Sequence, residues 1–404
     1  MNQLNPLSAA LLAALLFPSA ALAETDGNVS AVPYADIRYR LELVDQDGLP
    51  EDATASTLRV KAGVKLGEWH GLSAQIEGEA ITRIGPRDFN DTVNGRTDFP
   101  IVADPADILL NQAFVRWRPL DAVEATGGRQ AINLDNQRWI GSVGWRQNDQ
   151  TLDAAQLSLK PHKGLSVDYL YAWRVNRVFG PDSPQGIWRN TDIHGVRAAY
   201  DIKPIGKLSA FGYWLDIPAN PGGSSKTFGV RLAGTQSINQ DAKLLYVAEY
   251  AHQTDHAANP GEFGLDYLSL QPGFSVSGLT VNAGLERLQG NGSAALQTPL
   301  ATLHAFNGWS DKFLSTPPNG LRDLYADAAY KFSDNSALKG MTLRIAYHDF
   351  ASTRAGLDYG TEWNALVAFA LTRRITLLAK FSSYDARDFA TDTEKAWFQV
   401  EAMF

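Results

Sequence analysis

The feature that most restricts this chain is strict alternation of apolar and polar residues, held for about ten residues at a time. In Tyr34–Val44, Ile37, Tyr39, Leu41 and Leu43 share one face, and Asp36, Arg38, Arg40 and Glu42 share the other. Leu58, Val60, Ala62, Val64 and Leu66 then alternate with Arg59, Lys61, Gly63 and Lys65; Leu72, Ala74, Ile76 and Ala80 alternate with Ser73, Gln75, Glu77 and Glu79. Period two is the strand period, and strands of soluble sandwiches are nearer five or six residues long. The length of each run therefore points to strands that cross a bilayer.

The pattern recurs from 34–44 to 393–404 and predicts an all-β chain: a transmembrane antiparallel β-barrel of about eighteen strands, an even number as bacterial barrels require. The runs at 121–130, 206–217 and 262–272 alternate least regularly. Connections are short after even-numbered strands, as at 67–71, 118–121, 160–164 and 203–206, and long after odd-numbered ones, at 85–107, 131–149 and 291–319. Short periplasmic turns and long extracellular loops are the outer-membrane arrangement. The final run places Ala396, Phe398, Val400, Ala402 and Phe404 on one face, ending on an aromatic residue. A closed barrel allows an apolar face to point outward, because its solvent is lipid and no strand edge is left unpaired.

Composition narrows the remaining classes. There is no cysteine, which removes disulfide scaffolds, thiolate metal sites and a cysteine nucleophile. The formal charge of −8 argues against nucleic-acid binding, and a mean hydropathy of −0.21 is too polar for a bundle of membrane helices. Residues 7–17 are almost wholly apolar, and Ala21-Leu22-Ala23 precedes Glu24 as a small-residue cleavage pattern. Residues 1–23 thus read as a secretory signal peptide and 24–404 as the barrel.

Carrying the alternation through the chain predicts which charges face the lumen. Basic residues assigned inward are Arg38, Arg40, Arg59, Lys61, Lys65, Arg83, Arg116, Arg118, Lys160, Arg174, Arg197, Arg231, Lys243, Arg344 and Lys380. The inward acids are fewer, with Asp36, Glu42, Glu77, Glu79, Asp168, Glu249, Asp327, Glu362 and Glu401, while much of the acid lies in loops. Excess cationic charge in a low-dielectric channel concentrates anions. Inward arginines and acids that merely pair to hold a wide barrel open are the plainer reading of any single residue. The long loops at 85–107 and 291–319 are expected at the extracellular mouth, with one folding inward to narrow the pore.

Two stretches are more specific. Gly128-Arg129-Gln130 leads into LDNQRWIGSVGWRQNDQTLDA at 134–154, where Arg129, Arg138 and Arg146 interleave with Trp139 and Trp145. Guanidinium groups bind carboxylates through paired N–H donors, and indole faces stack on sugar rings. The second is TPLATLHAFNGWSDKFLSTPPNGLRDLY at 298–325. Together with the leader and the terminal aromatic, these stretches resemble the alginate export family of outer-membrane barrels. The resemblance implies an eighteen-stranded barrel that secretes a polyuronate through an arginine-lined lumen. Arg129, Arg138 and Arg146 are expected near the narrow zone of that lumen, where water is scarce and charge least screened.

The expected function is an outer-membrane channel for anionic solutes, exporting an acidic polysaccharide such as alginate. The alternative is a general or uptake porin for small anions such as sugar acids. Expected partners are outer-membrane lipid and lipopolysaccharide, the anionic substrate, and periplasmic export proteins, around a monomeric barrel with no cofactor or metal. Asp88, Asn90, Asp91, Asn94, Gly95 and Asp98 loosely resemble a calcium loop, but Phe99 stands where its glutamate is required. His304 is expected to pack within its loop rather than act as a base, and the alternation assembles no Ser–His–acid trio for a membrane-embedded hydrolase.

Overall fold

The structure is a computed structural model that describes residues 30–333, 336 and 338–404. The leader assigned to 1–23 lies outside the described residues. Among them the regular elements are eighteen strands and two short 3-10 turns, Pro221–Gly223 and Leu303–Ala305. The first nine strands are β1 (Ala31–Gln46), β2 (Ala53–Trp69), β3 (Leu72–Asp88), β4 (Asp107–Leu120), β5 (Val123–Gln130), β6 (Thr151–His162), β7 (Leu165–Asn176), β8 (Ile187–Ile202) and β9 (Gly206–Asp216). The rest are β10 (Ser225–Ser237), β11 (Ala242–Asp255), β12 (Gly264–Val276), β13 (Leu279–Leu288), β14 (Leu321–Lys331), β15 (Met341–Ala351), β16 (Asp358–Ala370), β17 (Ile375–Ala386) and β18 (Thr393–Met403).

Each strand pairs antiparallel with the next, and β18 closes on β1, with Asp36 opposite Met403 and Gln46 opposite Thr393. All eighteen sequence-derived segments are strands, and no sheet edge is left for another chain. Alternation works as expected along most of the wall: Arg38, Arg40 and Glu42 are buried toward the lumen while Leu43 is exposed, and Ile76, Val115, Leu324 and Phe398 are each more than half exposed on the lipid side. The β2–β3 and β12–β13 turns are two-residue links, His70-Gly71 and Ser277-Gly278, with positive φ at both positions, the geometry that matches strand twist.

The hydrophobic core lies inside the barrel. Trp139, Ile140, Leu300 and Phe313, from the connections 131–150 and 289–320, pack against wall residues such as Leu170, Val175, Trp188, Tyr267, Phe350 and Tyr384. Both connections turn into the lumen; of the two loops expected at the mouth, 291–319 is the one that folds inward. Residues 85–107 instead cap the rim, with Phe89 and Val102 buried against Val44, Ala53 and Ala55.

Candidate functional site: a lumen crossed by two interlocked loops

The two inward loops grip each other and opposite sides of the wall. Ile140 and Leu300 form a parallel bridge, Gly141 N–H donates to Leu300 O at 2.9 Å, and Val143 N–H donates to Thr302 Oγ1 at 3.0 Å. From 131–150, Arg138 pairs with Glu286 on β13 at 2.9 Å and Trp139 Nε1 donates to Glu249 on β11 at 2.6 Å. At its other end Gln147 donates to Thr57 on β2 and Lys61 pairs with Asp149 at 2.5 Å. One connection thus spans the lumen from β2 to β13. From 289–320, the backbone N–H groups of Trp309 and Ser310 donate to Glu362 on β16, and Ser310 meets Ser382 on β17 at 2.9 Å.

Trp145 is the centre of this arrangement. Arg40 lies over its ring at 4.1 Å and donates to its carbonyl at 2.5 Å, while Arg38 donates to the carbonyls of Gly144 and Arg146. The Lys380 ammonium sits 3.8 Å from the Trp309 ring, 4.1 Å from Trp145 and 5.2 Å from Trp397, a desolvated cation held by three indole faces. His304 stacks on Trp145 with centroids 4.7 Å apart; its Nδ1 is 2.7 Å from Asp311 and its Nε2 is 2.6 Å from Lys380. It packs as expected, and burial pushes its pKa down to about 3, so it stays neutral. Burial opposes ionisation of Asp311, yet His304, Lys395 and Arg146 hold its carboxyl well below the usual range. Asp135, Gln137, Val143, Asn307 and Asp311 all have positive φ, which concentrates backbone strain in the two loops.

The charges assigned inward by alternation are mostly there, but they are not a free cationic surface. Arg38 pairs with Glu401 at 2.7 Å, and Arg59 with Asp36 and Glu401. Lys61 meets Glu79 at 3.4 Å as well as Asp149, and Arg83 pairs with Asp91. Arg116 and Arg118 share Glu124, and Arg344 pairs with Asp327. Arg146 joins Glu42 at 3.5 Å and Asp311 at 2.7 Å. Arg197 grips Asp135 in a bidentate fork at 2.6 and 2.8 Å and Asp168 at 3.1 Å. Glu77 is buried and accepts from Tyr34, Asn111 and Gln112. Counting strands alone overstated the cationic excess, because loops return acids to these cations: Asp104, at the inner end of the rim cap, lies 3.8 Å from Arg40, and Asp135, Asp149 and Asp311 come from the two inward loops.

Arg129 and Arg174 are not in the lumen. Leu152, Ala154, Ala172, Val175 and Trp188 belong to the buried interior cluster, so the residues between them in register, Asp153, Arg174 and Arg189, face outward, and Arg129 lies opposite Asp153. For Arg174 a β-bulge is the cause: Trp173 is the extra residue opposite Asp153 and Ala154, and it reverses the face of everything beyond it on β7. Arg129 faces outward by plain alternation with the buried Thr126 and Gln130, along a β5–β6 ladder without a register shift. Arg138 and Arg146 lie within the loop that crosses the lumen, each buried against acids of the wall or of the other loop.

Sequence reasoning missed a feature at the periplasmic end. Lys65, Lys160, Lys207, Lys243 and Lys331, on β2, β6, β9, β11 and β14, share the inward register of Lys61, Ser158, Ser209, Glu249 and Asp327. All five are exposed, and none makes an ion pair among the described residues. Three of them had been assigned inward; Lys207 and Lys331 follow the same parity and were overlooked at strand ends. The loop Asp88–Asp98 is organised by itself: Asp91 accepts from Val93 and Asn94 N–H and pairs with Arg83, and no cluster of three metal-ligating side chains exists among the described residues.

The barrel is similar to solved outer-membrane proteins. Acinetobacter baumannii OccAB4 superimposes with a TM-score of 0.74 at 14% identity, over 94% of this chain and 100% of that one. Pseudomonas aeruginosa OpdL gives 0.69 at 16%, over 93% and 98%, and P. aeruginosa OpdK, solved with vanillate, gives 0.70 at 13%, over 92% and 98%. No curated protein matches the sequence. Residues 35–262, more than half of the chain, match the family described as alginate export. A closed eighteen-stranded barrel with a lipid-facing apolar surface and a charged lumen, matching that family over this length, is a porin-type channel of the bacterial outer membrane, and the chain belongs to the alginate export family.

Proposed function

We propose that the channel passes anionic solutes and that its cargo is an acidic polysaccharide such as alginate, moving from the periplasm outward. The observation that carries this reading is the set of five exposed lysines at the periplasmic end that make no ion pair among the described residues. Inside the lumen the cations are neutralised by neighbours; at the mouth they are free to attract a carboxylated chain end, over a range set by the Debye length of roughly 8 Å at physiological salt. Beyond these lysines, a uronate meets Arg344, Arg197 and Arg38 in turn. Each is already bound to a carboxylate or carbonyl, so an incoming carboxylate exchanges for an existing partner instead of entering a deep well. Several such exchanges suit conduction, because the solute must also leave.

The second reading, passage of small anions such as sugar acids, is favoured by the loops themselves. A polymer needs both 131–150 and 289–320 displaced, whereas a small carboxylate needs less room. The similar OpdK was solved with vanillate, a monocarboxylate. Catalysis has no part in either reading.

The test is a planar-bilayer measurement in a salt gradient, followed by addition of oligouronates of graded length to one side. An anion-selective reversal potential, with blocking events that lengthen with oligomer size from the periplasmic side, supports export. Block by monomers only supports the small-anion reading. A cation-selective reversal potential refutes both.

A further inference from the structure

Three outward-facing arginines, Arg129, Arg174 and Arg189, stand over a groove in the lipid-facing wall. Their row is continuous across strands: Arg129 lies opposite Asp153, Asp153 opposite Arg174, and Arg174 opposite Arg189. Arg129 grips Asp153 with two donors at 2.6 and 3.1 Å and donates a third to Leu110 O, and Asn176 also donates to Asp153. That single carboxylate is therefore occupied. Arg174 approaches it only to 3.7 Å, its Nε has no hydrogen-bond partner, and Arg189 makes no ion pair among the described residues. The nearest further acid on the outer face of β8, Asp192, is engaged by His194 at 3.1 Å. Two guanidinium groups directly opposite each other repel, and the wall supplies nothing between them.

Two residues toward the periplasm from Arg129, about 6–7 Å along the strand, the outer face opens into an apolar groove of about 450 Å³. Its floor is Ala125, Gly127 and Ala155, and its sides are Val115, Trp117, Leu157 and Tyr169. Arg174 stands nine residues above the start of β7 at Leu165. In a strand tilted by about 40° that rise is roughly 22 Å, close to the top of an apolar band about 25 Å tall. The guanidinium row thus lies at the outer-leaflet headgroup level, with the groove in the acyl region below it.

We infer that this face is a binding site for a phosphorylated, acylated glycolipid of the outer leaflet, lipopolysaccharide, with a phosphate between Arg174 and Arg189 and an acyl chain in the groove floored by Gly127. A phosphate accepts from both guanidinium groups and removes their repulsion, since charge-assisted bonds to phosphate are the strong ones. An acyl chain fills the notch that the small side chains leave. The site is on the outside of the barrel and is independent of what passes through it.

The experiment is native mass spectrometry of the purified barrel released from detergent after exposure to bis-phosphorylated lipid A, with phosphate-free lipid A, phosphatidylglycerol and inorganic phosphate as separate arms. The wild type should retain lipid A. Arg174→Gln with Arg189→Gln should cut retention about tenfold, and Arg174→Lys with Arg189→Lys should restore part of it. Gly127→Leu should also cut retention; a Cβ there has no atom within 4 Å, so the side chain enters the groove and not the wall. Heat-modified electrophoretic mobility confirms that each variant is a folded barrel. Equal retention of phosphate-free lipid A, equal retention of phosphatidylglycerol, stabilisation by inorganic phosphate alone, or indifference to the arginine variants would each overturn the site.

Discussion

The middle of the lumen and its periplasmic mouth carry the same kinds of side chain in opposite conditions. At the middle, Arg40, Arg146, Lys380 and Lys395 are almost wholly buried, each held by a carboxylate, a carbonyl or an indole face. At the mouth, Lys65, Lys160, Lys207, Lys243 and Lys331 are exposed and make no ion pair among the described residues. The first group is structural because desolvated charges must be compensated where they stand. The second is available for solute because water solvates it in place of a fixed partner. An inward-facing cation therefore has two possible roles, and the partner decides between them.

The largest test of this contrast removes a cation from the middle. Arg146→Gln leaves Glu42 and Asp311 buried with one partner fewer, a defect of about 3–5 kcal/mol. Loops 131–150 and 289–320 should become protease-sensitive, and single-channel conductance should rise. If conductance and protection are unchanged, the pairs do not hold the loops.

Acid should act in the same direction. The folded pKa of His304 is about 3 against an ordinary 6.5, and that of Asp311 is also lowered. Both groups bind more protons when the loops are released, so the lock is fully present above about pH 6.5 and is lost progressively as pH falls toward 3. Channel opening should increase over that window, and His304→Gln should remove the upper part of the transition. Opening that increases with alkali would reverse the sign and the argument with it.

A smaller effect is expected at the mouth. Lys207→Gln, Lys243→Gln and Lys331→Gln combined should leave thermal stability unchanged and lower anion over cation permeability a few-fold at low salt, with little change at 1 M, where the Debye length is about 3 Å. Persistence of the change at 1 M would place these lysines in close contact with solute. The smallest effect is on the outer face: Arg129→Gln should leave ion selectivity at the wild-type value, and a shift would mean that this side chain reaches the lumen after all.

These tests also mark what was readable from the residues alone. Strand positions and the closed barrel were legible because lipid outside and water inside impose period two on every segment. Within β7, facing was legible only up to the bulge. Nothing in Leu170-Tyr171-Ala172-Trp173-Arg174 announces an inserted residue, so Arg174 was given the parity of Asp168. Pairing was the least legible. Arg38 meets the carbonyl of Arg146 across more than a hundred residues, and Asp135 answers Arg197 from a loop whose path no alternation describes. The interleaved Trp and Arg of 134–154 did mark the loop that crosses the lumen, although Trp145 binds the wall's own cations there.

The clustering of contacts around Trp145 bears on how the barrel is completed. Arg40 comes from β1, and Lys380 and Trp397 come from β17 and β18. The loop is therefore fastened across the seam where the first and last strands meet, the ladder whose two halves are furthest apart along the chain and entropically the most costly to bring together. Its seat does not exist until that seam has zipped, and once seated it staples the seam shut. Closing the wall and stoppering the lumen are consequently one event in assembly, and a nascent barrel whose ends have not met is also an open one.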